Sequence, residues 1–347
     1  MKRKGNLMPK IVNYVNIEFA HKNAKKNKRE KHKKEEIEEY EKNAEELNFD
    51  LIDMLSEGRY TSSNYRFYTI VDKGKEREIA SLPYYPDRLV HWSVLNIVEK
   101  VFFPVFISST YASIKGRGVD RALRELNKDL RKHKEMKYCL KIDVRKFFPN
   151  IDKEILKNLF RKVIKDKAVM IILDEIVDGY PKSGIPIGNY TSQWFGNFYL
   201  AYFDHWVKED KRVKCYHRYM DDMIFLGETK EELWALLDEI KAYLSSILKL
   251  EVKSNYQVFP IADRGVDFVG YKSYPTKITI RSANKYRGIR RMNRIKYLKK
   301  LHGDNYYHSK RRQGQVSSYY GIFKRATGNK LINQHIRLHL PKKRKVE

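Results

Sequence analysis

Two adjacent carboxylates, Asp221 and Asp222, end the segment Tyr219-Met220-Asp221-Asp222, which lies between Val213-Lys214-Cys215-Tyr216-His217-Arg218 and the apolar run Met223-Ile224-Phe225-Leu226. Short runs rich in aromatic and β-branched residues on either side of a brief break predict two strands joined by a tight turn. The arrangement forces both acids to the rim of a packed sheet. Aspartate also suits turns because it bonds its own backbone, so the pair alone could be an ordinary turn. A further carboxylate elsewhere decides between a turn and a cation site.

That carboxylate is Asp143, about 80 residues upstream in Lys137-Tyr138-Cys139-Leu140-Lys141-Ile142-Asp143-Val144. Tyr138, Leu140, Ile142 and Val144 alternate with mostly polar residues, as in a half-buried strand, so Asp143 is expected to point away from the core face. Phosphoryl transfer asks little covalent chemistry of a protein. It needs two divalent ions roughly 3.5 to 4 Å apart, which activate the attacking hydroxyl and steady the leaving pyrophosphate. Asp143 and Asp221 would clamp both ions, with Asp222 as the supporting acid. Magnesium keeps waters and substrate phosphates in an octahedral oxygen shell, so two or three protein carboxylates plus a nucleoside triphosphate suffice.

The flanking blocks come in a definite order. Asp72-Lys73-Gly74-Lys75-Glu76-Arg77-Glu78-Ile79 is followed by Lys115-Gly116-Arg117-Gly118 and by Lys141 to Asp152, with Phe147-Phe148-Pro149-Asn150 inside it. Then come Gly184-Ile185-Pro186-Ile187-Gly188-Asn189-Tyr190-Thr191-Ser192-Gln193, the acid turn, and Val266-Asp267-Phe268-Val269-Gly270-Tyr271. In this order the chain resembles the reverse transcriptases from about residue 64 to about residue 330.

The resemblance implies an α+β right-hand polymerase: an N-terminal charged arm (1–47), fingers (48–136), a palm of small antiparallel sheet backed by helices (137–275) and a helical thumb (276–340). It implies metal binding at Asp143, Val144 and Asp221 and catalysis by Asp143, Asp221 and Asp222, with two Mg2+ ions for which Mn2+ could substitute. Nucleotide contacts fall to Lys73, Arg77, Phe148, Ile187 and Gly188. Phe148 stands where the family keeps an aromatic gate against the ribose 2′-hydroxyl, Phe147 being the alternative occupant. Lys115, Arg117, Gln193, Arg287, Arg290, Arg291 and Arg294 are the implied nucleic-acid contacts, and Val266 to Tyr271 looks like the primer-grip hairpin. No nuclease or integrase segment is expected after the thumb.

One departure narrows the resemblance. Most reverse transcriptases carry Gln-Gly and then Ser-Pro in the fourth block, where this chain has Ile187-Gly188 and Ser192-Gln193. That looks like the reverse transcriptases of diversity-generating retroelements, which copy a template-repeat RNA into cDNA with errors at adenines. A glutamine could hydrogen-bond and fix the templating base and incoming nucleotide, whereas Ile187 offers only an apolar wall, so lower fidelity is expected. The implied partners are RNA template and primer, cDNA, dNTPs and a small basic oligomeric accessory protein, in a bacterial or phage-infected cytoplasm. A retron or phage-defence reverse transcriptase is the rival, and a catalytically silent RNA-binding scaffold the rival of another class.

A formal charge of +28 agrees with a polyanionic partner. Residues 281–312 carry 12 Lys/Arg against the single Asp304, interleaved with Tyr286, Tyr297, Tyr306 and Tyr307, so they could track phosphates while stacking on bases. Ser317-Ser318-Tyr319-Tyr320-Gly321 resembles the start of a later thumb helix.

Helical spacing is expected for Leu123, Leu126 and Leu130, for Ile155 to Ile164, for the aromatic stripe Trp194 to Trp206 after Gly188, and for Leu233 to Leu248. His21 to Glu46 reads as an exposed helix or partly disordered arm. Cys139 and Cys215 are expected as reduced, buried thiols. No apolar run approaches the roughly 18 residues of a membrane span. Pro341-Lys342-Lys343-Arg344-Lys345-Val346 reads as an appended nuclear import signal within the basic tail 341–347.

Overall fold

A computed structural model describes residues 2–26, 31–72, 74–307 and 310–337. Lys73 and the 341–347 tail, named above, lie outside the described residues. The strands are β1 (Arg66–Asp72), β2 (Lys75–Ser81), β3 (Tyr138–Asp143), β4 (Cys215–Tyr219), β5 (Asp222–Gly227), β6 (Gln257–Pro260), β7 (Val266–Phe268), β8 (Tyr271–Ser273) and β9 (Ile278–Ile280). They form a two-stranded hairpin, a four-stranded sheet in the order β4-β5-β3-β6 and a three-stranded sheet in the order β7-β8-β9. Together with the helices this is the expected α+β class.

Contacts divide the chain into two units. The first holds residues 1–113, 142–223 and 236–256. Its centre is the Leu89–Phe102 helix, in which Leu89, Val90, Val94, Leu95, Val98 and Phe102 are buried. The Tyr14–Ala24 and Tyr190–Tyr199 helices pack on it, and the Phe102 ring stacks on Phe198 with centroids 4.1 Å apart. Most of the aromatic stripe is core: Trp194, Phe195, Phe198, Tyr199 and Phe203 are buried, while Tyr202 and Trp206 are half-buried. The single long helix expected there is instead Tyr190–Tyr199, a break at Leu200, then Ala201–His205 and a wider turn from Trp206 to Asp210.

The N-terminal arm is better anchored than its composition suggested. Lys4 bridges to Ile164, the Asp166 carboxylate accepts from the Leu7 and Met8 amides, and Ile11, Ile17, Ala20 and Ala24 are buried. Even the Glu-rich Lys31–Lys42 helix buries Ile37 and Tyr40. Sparse apolar residues at one helical edge suffice for this packing. The Lys230–Leu248 helix buries Leu233, Leu237, Ile240, Leu244 and Leu248, while Ile247 is exposed.

The second unit holds the described residues of 114–141, 224–235 and 257–337. Antiparallel β3–β6 and β7–β8–β9 pairings lie within it. Its core gathers Leu123, Tyr271, Ile280, Met292, Ile295, Val316 and Phe323. The basic stretch forms a helix, Ser282–Tyr307, broken at Gly303, and Ser317 to Gly321 sit inside the next helix, Lys310–Lys324, rather than at its start. Among the described residues no helix is long and apolar enough to cross a membrane.

Candidate active site

Asp143 ends β3, and Asp221 occupies the two-residue turn between β4 and β5. Two-residue hairpin turns need positive φ, and Met220 takes φ 61° there, a left-handed conformation that costs a non-glycine residue about 1 kcal/mol or more. The carboxyl of Asp143 lies close enough to that of Asp221 to act on it through charge and hydrogen bonding. Burial, then the charge and hydrogen bond of Asp143, and finally the charge of Asp222 push the Asp221 carboxyl up to about 7. Holding like charges together in a desolvated place is unfavourable unless a proton or a cation separates them.

On the other side Lys253 reaches Asp143, Nζ to Oδ2 3.6 Å, both side chains being 38% exposed. The backbone beyond β3 is fixed by the same segment: Val144 bridges Val252, Lys253 N donates to Asp143 O (2.8 Å) and Arg145 N to Glu251 O (2.9 Å). Val144 is buried, so its side chain is closed to a ligand. An all-oxygen carboxylate set fits a hard divalent cation such as Mg2+ or Mn2+.

Phe147 is buried and Phe148 half-buried, their rings 5.4 Å apart, so Phe148 is the ring with a face left for a substrate. Both rings and Met220 converge on Gly196, where an added Cβ would lie 3.3 Å from Phe148 and 3.4 Å from the Met220 sulfur. Ile185 N donates to Phe148 O (3.0 Å), and Ala80 N of β2 donates to Ile187 O (2.9 Å). The 184–188 segment is thus bonded to Phe148 at one end and to β2 at the other. Gly188, at φ +135° and with its would-be Cβ 2.4 Å from Ala80 O, tolerates no side chain. Ile187 is half-buried. Gln193 is exposed and accepts from Ser113 Oγ at 2.5 Å.

Arg77 lies opposite Ile70 on the β1–β2 hairpin and is 3.5 Å from Asp72, half exposed. The remaining expected contacts belong to the second unit. Lys115 is exposed and Arg117 half-buried. Arg287, Arg290 and Arg294 face solvent on one helix beside the exposed rings of Tyr286 and Tyr297, whereas Arg291 is half-buried and donates to Gln315 (3.0 Å).

Sequence reading missed the residues that hold the acid turn. Arg218 and Asp204 are both fully buried and paired. The signal was an arginine inside an otherwise uncharged strand, and an aspartate inside an aromatic stripe. Lys253 was missed too, and nothing in its local pattern marks it.

The family model described as Reverse transcriptase (RNA-dependent DNA polymerase) matches residues 69–273, more than half of the chain. The group II intron-encoded protein LtrA of Lactococcus lactis is 26% identical over 229 residues, 62% of this chain and 36% of that protein. The retron Ec73 reverse transcriptase of Escherichia coli is 28% identical over 179 residues, 47% and 54%. The chain spans from 20% to 65% of the length of the first curated relatives it matches. A solved telomerase from Candida albicans, in complex with a fragment of telomeric RNA, superposes with TM-score 0.50 and 9% identity over 78% of this chain and 57% of that one, a likeness of fold alone. The fold is that of a right-hand polymerase, and the chain belongs to the reverse transcriptase (RNA-dependent DNA polymerase) family.

Proposed function

We propose that this chain is an RNA-directed DNA polymerase in which Asp143, Asp221 and Asp222, with the main chain at Val144, hold two Mg2+ ions. The observation that carries the reading is the meeting of the Asp143 and Asp221 carboxyls at the tip of the β4–β5 turn. Bound divalent ions would supply activation of the primer hydroxyl and neutralisation of the leaving pyrophosphate. The chain does the rest. Asp221 would hold a cation in its deprotonated form, giving up the proton that it shares with Asp143. Phe148 sets its free ring face against the sugar, Gly188 lets the main chain approach the nucleotide, and Ile187 lines the base pair with an apolar wall. Arg77, with Lys73, would meet the triphosphate by charge-assisted hydrogen bonds. Template and primer would run along Lys115, Arg117, Gln193 and the Arg287, Arg290 and Arg294 face, with fingers, palm and thumb at 48–136, 137–275 and 276–340.

Primer extension on an RNA template with dNTPs, with and without Mg2+, tests this. Metal-dependent cDNA is expected, and its absence from folded protein overturns the reading. Ile187 in place of the family's usual glutamine further supports adenine-biased copying of a template-repeat RNA for mutagenic retrohoming, alongside a small basic accessory protein. The likeness to a retron enzyme favours a second reading, synthesis of retron cDNA. Sequencing cDNA from a defined template separates them: errors concentrated at template adenines, reduced in Ile187→Gln, support the first, and a flat error spectrum the second.

A further inference from the structure

The largest fully buried side chain in the described residues is a charged one, Arg218, and it stands two residues before the left-handed turn that carries Asp221. A guanidinium has five N–H donors. In this protein all five are used: Nε to Asp204 Oδ1 (2.7 Å), Nη2 to Asp204 Oδ2 (2.5 Å) and to Asn197 O (3.2 Å), Nη1 to Asn197 Oδ1 (3.2 Å) and to Met220 O (3.0 Å). Asp204 is satisfied as fully, accepting from Tyr216 Oη (2.7 Å) and Thr110 Oγ1 (2.9 Å) as well. The main chain at Arg218 is clamped too, its amide donating to Ser109 O and its carbonyl accepting from Tyr111 N, each at 3.0 Å.

A buried ion pair is seldom the most stable filling for a core; apolar residues of like volume often do as well or better. The fork here does something an apolar filling could not. Four of its bonds stay within the core, and the fifth holds the carbonyl of Met220, the residue whose strained φ sets the direction in which Asp221 leaves the turn. We infer that Arg218, locked by Asp204, is a positioning residue that aims the metal-binding turn. This deepens the polymerase reading and rests on it. A small rotation at Met220 would part Asp221 from Asp143, and misplacement by about 1 Å at such a site costs on the order of a hundredfold.

The test uses the full chain. Arg218→Met with Asp204→Leu exchanges the pair for apolar groups of similar volume, and Arg218→Lys keeps the charge but loses the fork. Mn2+ binding is read by electron paramagnetic resonance, and primer extension is measured per folded molecule. Both variants should keep the wild-type circular dichroism while the Mn2+ Kd rises and kcat falls, each by about ten- to a hundredfold, as for lost outer partners of a metal ligand. The KM for dNTP should stay within about twofold, the mark of lost transition-state positioning. Wild-type Mn2+ affinity and kcat in either folded variant would overturn the inference. Failure of both variants to fold would overturn it as well, leaving the pair a folding element only. A wild-type chain that binds Mn2+ but makes no DNA would sink the polymerase reading alone, because the Mn2+ shift still reports the aim of the turn.

Discussion

Asp221 is the residue on which two demands meet. With its carboxyl raised from 3.8 to about 7, the folded metal-free protein binds a proton there that the unfolded chain has already lost. The sign follows from linkage: this contribution is fully present below about pH 4 and is lost as pH rises through about 7. Measured as the difference between wild type and Asp221→Asn, this contribution to the thermal midpoint of metal-free protein should therefore fall over that interval, and Mg2+ should restore it at the alkaline end. On the proposed function the same substitution would remove a cation ligand worth several kcal/mol in the transition state, so primer extension should drop about a thousandfold or more. Phe148→Ala, by removing the half-exposed ring of the Phe147–Phe148 pair, should raise ribonucleotide use relative to deoxynucleotide by about ten- to two-hundredfold in competition assays. An unchanged ratio would return the gate to Phe147 or to another residue.

At the scale of elements, the Leu89–Phe102 helix carries a buried histidine. His91, bonded to Thr191 Oγ1 at 3.1 Å, is lowered from 6.5 to about 4, chiefly by burial, with Asp87 opposing and Arg88 adding to the shift. The unfolded chain takes up this proton first, so acid destabilises the fold. The His91 contribution should fall as pH drops from 6.5 towards 4, against the opposite trend of Asp221 over the same interval, so the difference between wild type and His91→Gln in denaturant titrations should isolate it. The 184–188 segment offers a geometric test. Gly188→Ala puts a Cβ against the Ala80 carbonyl, so it should lower the free energy of unfolding by about 1–3 kcal/mol and raise the KM for dNTP. These elements also show what sequence could and could not reveal. Alternation exposed β3, and apolar spacing exposed the helices, because each is local. The Arg218–Asp204 pair spans 14 residues and two elements, and only coordinates join them. The anchoring of Ile11 and Ile17 was hidden for the opposite reason: a few apolar residues among many lysines look like a solvated arm until their partner helix is known.

For the whole molecule, charge dominates. A chain of +28 that engages RNA phosphates should lose affinity steeply with salt. Replacing Arg287, Arg290 and Arg294 together by glutamine should lower the slope of log K against log salt by about 2, at about 0.7 per phosphate contact on a single strand. An unaltered slope in a filter-binding series would move the template path off this helix.

The strap from Gly184 to Gly188, tied to the Phe148 carbonyl and to β2, joins Ile187, the proposed wall beside the base, to Phe148, the proposed ring beside the sugar. Loosening one end must therefore disturb the other. Selection for sloppier copying at Ile187 would carry drift in sugar choice with it, and lineages that tune one should be found repairing the other.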